Sequence, residues 1–302
     1  IIVVDNNSSD GSPAQIKKLA THAKKSHLTP IKLITNSENL GFAKANNQAI
    51  KESRGEFILL LNSDTIMQKN CLQQMITSFR QHPLDGTTAR LSTHRNAFDN
   101  LGILAASLLN QDGSLQAQGG SFPSLRTLAA QMLFLDDLPI IGQLLPTIQE
   151  TGRAAKYKQL AQHTFTNKLF QKGWVAGTAM MIRRQVIEEI GFLDKNIFMY
   201  GEDVEYCMRA KHKHWDIAID PLAKVVHLGC ASSSSESAIL GEISSYLYIW
   251  AKHKPHWQRR FLKMILYLVS DLEFRFLIQL LLKHLQHISK KTQFINQILI
   301  SS

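Results

Sequence analysis

Three largely apolar runs, IIVVD at Ile1–Asp5, IKLITN at Ile31–Asn36 and EFILLLNSD at Glu56–Asp64, end in polar or acidic residues, and helix-patterned stretches separate them. Apolar runs without alternation suit strands buried on both faces, and a repeating strand–helix order packs as a parallel sheet covered by helices. The turn NNSSDGSP leads into a helix from Ala14 to Lys25, and GFAKANNQAIKES reads as a second helix. In such α/β sheets ligands bind beyond the carboxyl ends of the strands. Asp5 and the tripeptide Asn62-Ser63-Asp64 are therefore expected to face one cleft.

Regularity lapses between about Leu84 and Lys172, where turn signals at Asp112-Gly113 and Gly119-Gly120 interrupt the pattern. This stretch reads as a variable, partly helical insertion. Beyond it come a strand in GWVAGTAMMIRR, a short helix in RQVIEEIG, a helix in FMYGEDVEYCMRAKHK, and two strands, DIAID and AKVVHLG. After the serine run Ser232–Ser235 the pattern is helical. There are no internal repeats.

With 302 residues, 44% hydrophobic and 19% charged, the chain can bury a sizeable core and is not a disordered polymer. Cys71, Cys207 and Cys230 form no CxxC pair, which argues against a thiolate zinc site or a disulfide framework and for a reducing compartment. No secretory signal opens the sequence; it begins inside an apolar run, without Met, which points to further sequence upstream. The net charge of +10 is concentrated late: from Ala251 onward nine Lys or Arg face only Asp271 and Glu273. No zinc-finger spacing or aromatic RNA-binding signature accompanies these cations, so an anionic membrane surface, and no nucleic acid, is the expected partner.

Three features carry chemistry. Asp64 closes a buried strand, where a carboxylate suits Mg²⁺ or Mn²⁺, which bind through one or two carboxylates plus substrate phosphates. An isolated NSD, however, more often caps a turn. Glu202 and Asp203 follow Gly201 at a helix start. Burial, like charge and the helix dipole can tune a general base there, and acids also occupy first turns for ordinary dipole reasons. His227 ends the strand AKVVH; imidazole ligates Mn²⁺-like metals, yet a lone strand-end His is more commonly structural. Taken singly, each feature favours its bland reading.

Taken in order, VDNNSSDGS, NLGFAKANNQAI, FILLLNSD, GWVAGTAMMIRRQVIEEIGFLD, FMYGEDVEYCMRA and AKVVH resemble the family 2 glycosyltransferases, in particular their rhamnosyltransferase-like branch, over about residues 1–230. The resemblance implies an α/β GT-A fold, the Rossmann-like mixed sheet flanked by helices of nucleotide-diphospho-sugar transferases. Residues 84–172 would then be an acceptor-side insertion and residues 236–302 a basic, amphipathic helical appendage. It further implies a nucleotide-diphospho-sugar donor, a divalent metal (Mg²⁺ or Mn²⁺), a lipid-linked or saccharide acceptor, and inversion at the anomeric carbon.

By the same resemblance Asp5 contacts the nucleobase, Asp10 shares its donor-side loop, and Asn39, Gly41 and Asn46 line the nucleotide. Asp64 matches the last acid of a DxD-type motif and binds metal, with Asn62 standing where many relatives carry Asp and Ser63 between them, both on the donor side. Asp203 matches the catalytic base, Glu202 its acidic neighbour, and His227 a downstream metal-binding histidine. The family's usual first strand and helix, with a Tyr-Asn turn, has no counterpart here, which implies either a longer gene product or an impaired one.

On this reading Asp203 takes the acceptor proton while a metal at Asp64 and His227 stabilises the leaving diphosphate. The expected setting is cell-surface polysaccharide or lipopolysaccharide assembly, with rhamnosyl transfer as the family-level expectation. The rivals are a nucleotide-sugar-binding protein without catalysis and, less favoured for want of a glycine-rich, basic triphosphate loop, a sugar-nucleotide pyrophosphorylase. Leu262, Ile265, Val269, Leu272 and Phe276 fall on one helical face, while Lys263, Asp271, Glu273 and Arg275 argue against a spanning helix. The tail is expected to lie through that apolar face on the cytoplasmic side of the cell membrane, with packing onto the catalytic domain as the alternative.

Overall fold

The computed structural model describes residues 1–82, 100–132, 168–229 and 235–270. Strand β1 (Ile2–Asp5) leads to helix α1 (Ser12–Lys25), β2 (Lys32–Thr35) to α2 (Phe42–Glu52), and β3 (Phe57–Leu61) through the Asn62–Asp64 turn to a short β4 (Thr65–Met67). Helix α1 starts where Gly11 takes a left-handed φ of 83° and Pro13 occupies the first turn, where its missing N–H breaks no helical bond. β1 and β2 pair in parallel, as the alternation predicts, but they form a two-stranded sheet of their own. α2 packs across β1 and sends Ala43 and Ile50 into the main core, which joins the small sheet to the rest.

The larger sheet is mixed. Its order is β3, β10 (Ala179–Arg183), β5 (Leu101–Leu109), β11 (Asp216–His227), β4, with β6 (Leu115–Gln116) on β5 and β8 (Phe170–Gln171) on β11. β5 and β11 run parallel, whereas β10 is antiparallel to β3 and β5, and β4 is antiparallel to β11. β7 (Gly119–Gly120) and β9 (Trp174–Val175) make a further antiparallel pair. Alternate residues of β10 enter different cores: Met180 and Ile182 join α2, while Ala179 and Met181 meet helix α3 (Cys71–Gln81) on the other face.

Two expectations change here. The stretch expected to be a variable insertion supplies β5, LGILAASLL, every residue of which is buried between β10 and β11. A strand covered on both faces has no polar period, so its sequence does not announce it. Most of the remaining stretch lies outside the described residues. The two strands expected in DIAID and AKVVHLG are one, β11, with a register shift between Asp220 and Lys224 that accommodates Pro221. The buried Asp220 carboxylate closes this irregularity by accepting hydrogen bonds from Ser78 Oγ at 2.6 Å and the Leu222 N–H at 2.9 Å.

Helices α4 (Leu125–Met132), α5 (Arg184–Ile190) and α6 (Glu202–His212) precede the two tail helices, α7 (Ser235–His253) and α8 (His256–Ser270). The tail is docked on the domain: Tyr246, Ile249 and Trp250 of α7, with Leu262 and Ile265 of α8, share a core with Ile103 and Met180. The apolar face expected to meet a membrane is thus turned inward at Leu262 and Ile265, which are 1% and 8% exposed. The side chain of Val269, and Leu272 and Phe276, lie outside what the structure describes. Among the described residues no helix is long and apolar enough to cross a membrane.

Candidate active site

The β4·β11 ladder builds one half of the site. Thr65 lies opposite His227, and the Leu228 N–H donates to the Asp64 carbonyl at 2.9 Å, so the Asp64 and His227 side chains meet. His227 Nε2 stands 3.3 Å from Asp64 Oδ2, with the two side chains 18% and 17% exposed. His227 Nδ1 donates to Gln116 Oε1 at 2.7 Å, which places the ring proton on Nδ1 and leaves the Nε2 lone pair facing a carboxylate oxygen. Two lone pairs so placed require a proton or a cation between them. One carboxylate and one imidazole suit Mg²⁺ or Mn²⁺, which complete their shells with phosphate oxygens and water. No group of three or more His, Cys, Asp or Glu able to hold a metal forms among the described residues. Asn62 shapes the turn with its backbone, donating to the Thr178 carbonyl at 3.0 Å and accepting from Thr65 Oγ1 at 2.6 Å, while Ser63 is exposed at the tip.

The other half is the start of α6. Gly201 caps the helix at φ 115°, and a Cβ there would press on Ser245 of α7, so both conformation and space demand glycine. Asp203 Oδ2 accepts the Gly177 N–H at 3.1 Å and Oδ1 the Val204 N–H at 2.8 Å. Glu202 is 4% exposed, and its Oε2 has no hydrogen-bond partner among the described residues. Burial holds the Glu202 carboxyl above the ordinary range, reinforced by the like charge of Asp203, and burial also raises Asp203. Two N–H groups stabilise the Asp203 anion, whereas an ionised Glu202 would bury an uncompensated oxygen. The pair therefore holds one proton and one negative charge, with the proton on Glu202 and the charge on Asp203.

Gly177 and Thr178 connect these halves. The first gives its N–H to Asp203, and the second gives its carbonyl to the N–H of Asn62. The residues expected on the donor side are fastened to the same region through α2. The Phe42 N–H donates to the Phe198 carbonyl at 2.8 Å, and Asn47 exchanges two hydrogen bonds with the Leu193 backbone, at 2.8 and 3.0 Å. Gly41, at φ 80°, lies so close to Phe198 that a Cβ would collide with its carbonyl. The loop that delivers Glu202 and Asp203 is thereby pinned to the first turn of α2.

Asn6 gathers the remaining donor-side residues. Its Nδ2 donates to Asn39 Oδ1 at 2.8 Å, and its Oδ1 accepts from Asn36 Nδ2 and the Leu40 N–H, both at 3.1 Å. Asn36 and Gln48 exchange hydrogen bonds at 3.0 and 2.9 Å, and Asn46 Nδ2 donates to the Phe42 carbonyl at 3.0 Å. Asp5 is 7% exposed at the end of β1 and accepts from the Ser8 N–H at 3.3 Å. Asn39 and Gly41 thus come together beside Asn6, which directly follows Asp5; Asn46 is bonded within α2, and Asp10 is exposed and accepts from the Ser12 N–H at the start of α1. Asn6, Asn36, Asn47, Gln48 and Gln116 escaped sequence reasoning. Their signal, amides clustered at strand ends and on one helix, is also that of ordinary turns.

A buried carboxylate also ties the tail to α6. Glu205, 0% exposed, is held by Arg209 at 2.8 Å, Lys252 at 2.8 Å and His253 at 2.9 Å, and Lys252 reaches Asp194 at 2.6 Å. Its cationic neighbours keep Glu205 below the ordinary range against the cost of burial.

Comparison with known proteins bears on the family and the fold. Residues 1–114 match the model of Glycosyl transferase family 2. The chain is 25% identical over 235 residues to the Low-salt glycan biosynthesis hexosyltransferase Agl10 of Haloferax volcanii, covering 75% of this chain and 58% of that protein. It therefore spans little more than half the length of that relative. It is 21% identical over 273 residues to the N-acetylglucosaminyl-diphospho-decaprenol L-rhamnosyltransferase of Mycobacterium tuberculosis, covering 85% of this chain and 76% of that one. Among solved structures, the mannosyltransferase PcManGT from Pyrobaculum calidifontis, in complex with GDP-Man and Mn²⁺, superposes with a TM-score of 0.50 at 12% identity, over 98% of this chain and 73% of its own. Residues 1–114 are thus a glycosyl transferase family 2 domain, and the chain adopts the fold of the GT-A glycosyltransferases.

Proposed function

We propose that this chain transfers a sugar from a nucleotide-diphosphate donor to an acceptor hydroxyl, with inversion, at the cytoplasmic face of a membrane. The observation that carries the reading is the Gly177-Thr178 link, in which one residue bonds the Asp203 carboxylate and the next bonds the Asn62–Asp64 turn. Asp203 takes the proton of the acceptor hydroxyl as that oxygen forms its bond to the anomeric carbon. The bond from that carbon to the diphosphate oxygen breaks on the opposite face, and the nucleoside diphosphate departs with the electron pair. One displacement of this kind inverts the centre. Glu202, protonated and buried, keeps a second charge out of the site and leaves the proton-accepting role to Asp203. Asp64 and His227 would hold Mg²⁺ or Mn²⁺, which supplies positive charge to the leaving diphosphate.

The relatives' names favour a lipid-linked acceptor and a hexosyl or rhamnosyl donor, in the assembly of a cell-surface polysaccharide. Calorimetric titration of the intact chain with nucleoside diphosphates, with and without Mn²⁺, tests the donor half of the proposal. Binding should depend on Mn²⁺, and Asp64→Ala should abolish that dependence. An Asp64→Ala protein that bound nucleotide with the parent's Mn²⁺ dependence would remove Asp64 from the metal site.

A further inference from the structure

Because Leu262 and Ile265 turn inward, a second face of α8 is left outside. Trp257, Phe261, Met264 and Tyr267 follow one another at spacings of four, three and three along a single helical stripe, and they are 63%, 42%, 48% and 68% exposed. Arg260 and Lys263 are exposed on the flank of the same stripe. From Lys252 to Ser270 the sequence holds Lys252, Lys254, Arg259, Arg260 and Lys263, and no Asp or Glu. Lys252 is committed to Asp194 and Glu205, so Arg260 and Lys263 set the charge of the outer face.

A helix with aromatic and Met side chains on one side, cations along the flank and no acid is complementary to a surface with an apolar interior and anionic headgroups. Trp and Tyr settle at the headgroup level of such a surface, and Arg and Lys extend to its phosphates. We propose that α8 lies on an anionic lipid surface through Trp257, Phe261, Met264 and Tyr267, with Arg260 and Lys263 on headgroup phosphates, while Leu262 and Ile265 hold its opposite face to the catalytic domain. The proposal deepens, and rests on, the reading of a membrane-borne acceptor. It also orients the domain: α8 joins α7, whose Lys252 and His253 grip Glu205, two residues along the helix from the base Asp203.

The intact chain supplies its own reporter, since Trp174, Trp215 and Trp250 are 6%, 0% and 0% exposed, whereas Trp257 is accessible. With vesicles of phosphatidylglycerol and phosphatidylcholine at low salt, Trp257 emission should shift to the blue and be quenched by lipids brominated on the acyl chains. Pure phosphatidylcholine should give neither effect. Arg260→Gln with Lys263→Gln should weaken vesicle binding by about twentyfold, each cation being worth about fivefold, and should flatten its salt dependence. Trp257→Ser with Phe261→Ser should weaken it by at least about tenfold. Unchanged nucleotide binding by these variants shows that they remain folded.

Three results would overturn the assignment. The first is protection of Trp257 from acrylamide in the lipid-free monomer, which means the chain's own residues cover it. The second is protection that appears with protein concentration and a doubled mass, which means a second copy does. The third is vesicle binding without quenching of Trp257. A parent protein that binds vesicles as described but no nucleotide would sink glycosyl transfer and leave this surface standing.

Discussion

The two acidic halves of the site are built on opposite principles. Asp64 sits at the end of an antiparallel ladder, with the His227 imidazole 3.3 Å away and part of its surface open. Glu202 and Asp203 sit under protein at a helix start, next to one another, with no cation among the partners recorded for either. The first arrangement turns two acceptors toward one gap and calls for a proton or a cation between them. The second carries one charge too many for its burial and answers by keeping a proton. Where a carboxylate is placed thus decides whether it collects a cation or handles a proton, although the sequence writes both as an acid in a turn.

That contrast can be broken at its proton side first. Asp203→Asn preserves shape and keeps one of the two backbone hydrogen bonds, since its NH2 cannot accept the other, and it cannot take up a proton. Turnover should fall by about 10²–10⁴-fold while nucleotide affinity stays near the parent's, measured by sugar-transfer kinetics beside calorimetry. Equal loss in Glu202→Gln with none in Asp203→Asn would exchange the two roles.

On the cation side, Gln116→Ala removes the acceptor that fixes the His227 tautomer. Mn²⁺ affinity should drop by about 10–100-fold, read from the Mn²⁺ dependence of nucleotide binding. No change would mean that His227 is held by its strand alone, and the ring's second bond would lose its assigned part.

The smallest expected effects are on stability. A folded-state pKa raised above the unfolded value means that the native protein binds the extra proton, so stability is lost as pH rises from the ordinary glutamate range through the raised value. Glu202→Gln cannot ionise and should flatten that fall, so its melting temperature should decline less than the parent's between about pH 5 and pH 8. A parallel decline in both proteins would show that Glu202 is already paired in the native state. Asn47→Ala deletes two bonds to the Leu193 backbone and should cost about 1–3 kcal/mol in denaturant unfolding, since it also strands a backbone carbonyl and an N–H. A loss confined to the loop ahead of Glu202, seen as faster hydrogen exchange there, would place the effect on the base and not on the core.

Much of this was legible in the residues, and the gaps have physical causes. β1, β2 and β3 announce themselves because apolar runs end abruptly in polar turns, and Glu202-Asp203 because acids follow a glycine at a helix start. β5 stayed hidden because burial on both faces erases the alternation that marks a strand. Helix α8 was read with its inner stripe outward. Periodicity finds an apolar face but does not say which apolar surface it meets, and the outer stripe of Trp257, Phe261 and Met264 is the less regular of the two. The meeting of Asp64 with His227 depends on the pairing of β4 with β11, a long-range register that no local pattern encodes. Gln116 went unnoticed for the same reason: its importance lies entirely in what stands across from it.

The pairing of β5 with β11 sets a timetable for making the protein. Leu101 lies beside Asp216 and Leu109 beside Val226, partners far apart in the chain, and β10 must enter between β3 and β5 before the sheet is whole. Synthesis delivers β1, α1, β2 and α2 ahead of β5, β10 and β11, and their amide contacts are local enough to form early. Asp64 emerges with them but waits for His227, the last residue of the last strand. Until β10 and β11 emerge, the growing chain exposes the apolar edges of β3 and β5, an interval in which a chaperone or a membrane surface would find them uncovered. The amides around Asn6 can thus pair well before Asp64 meets His227, so a chain interrupted between the two carries the first arrangement without the second.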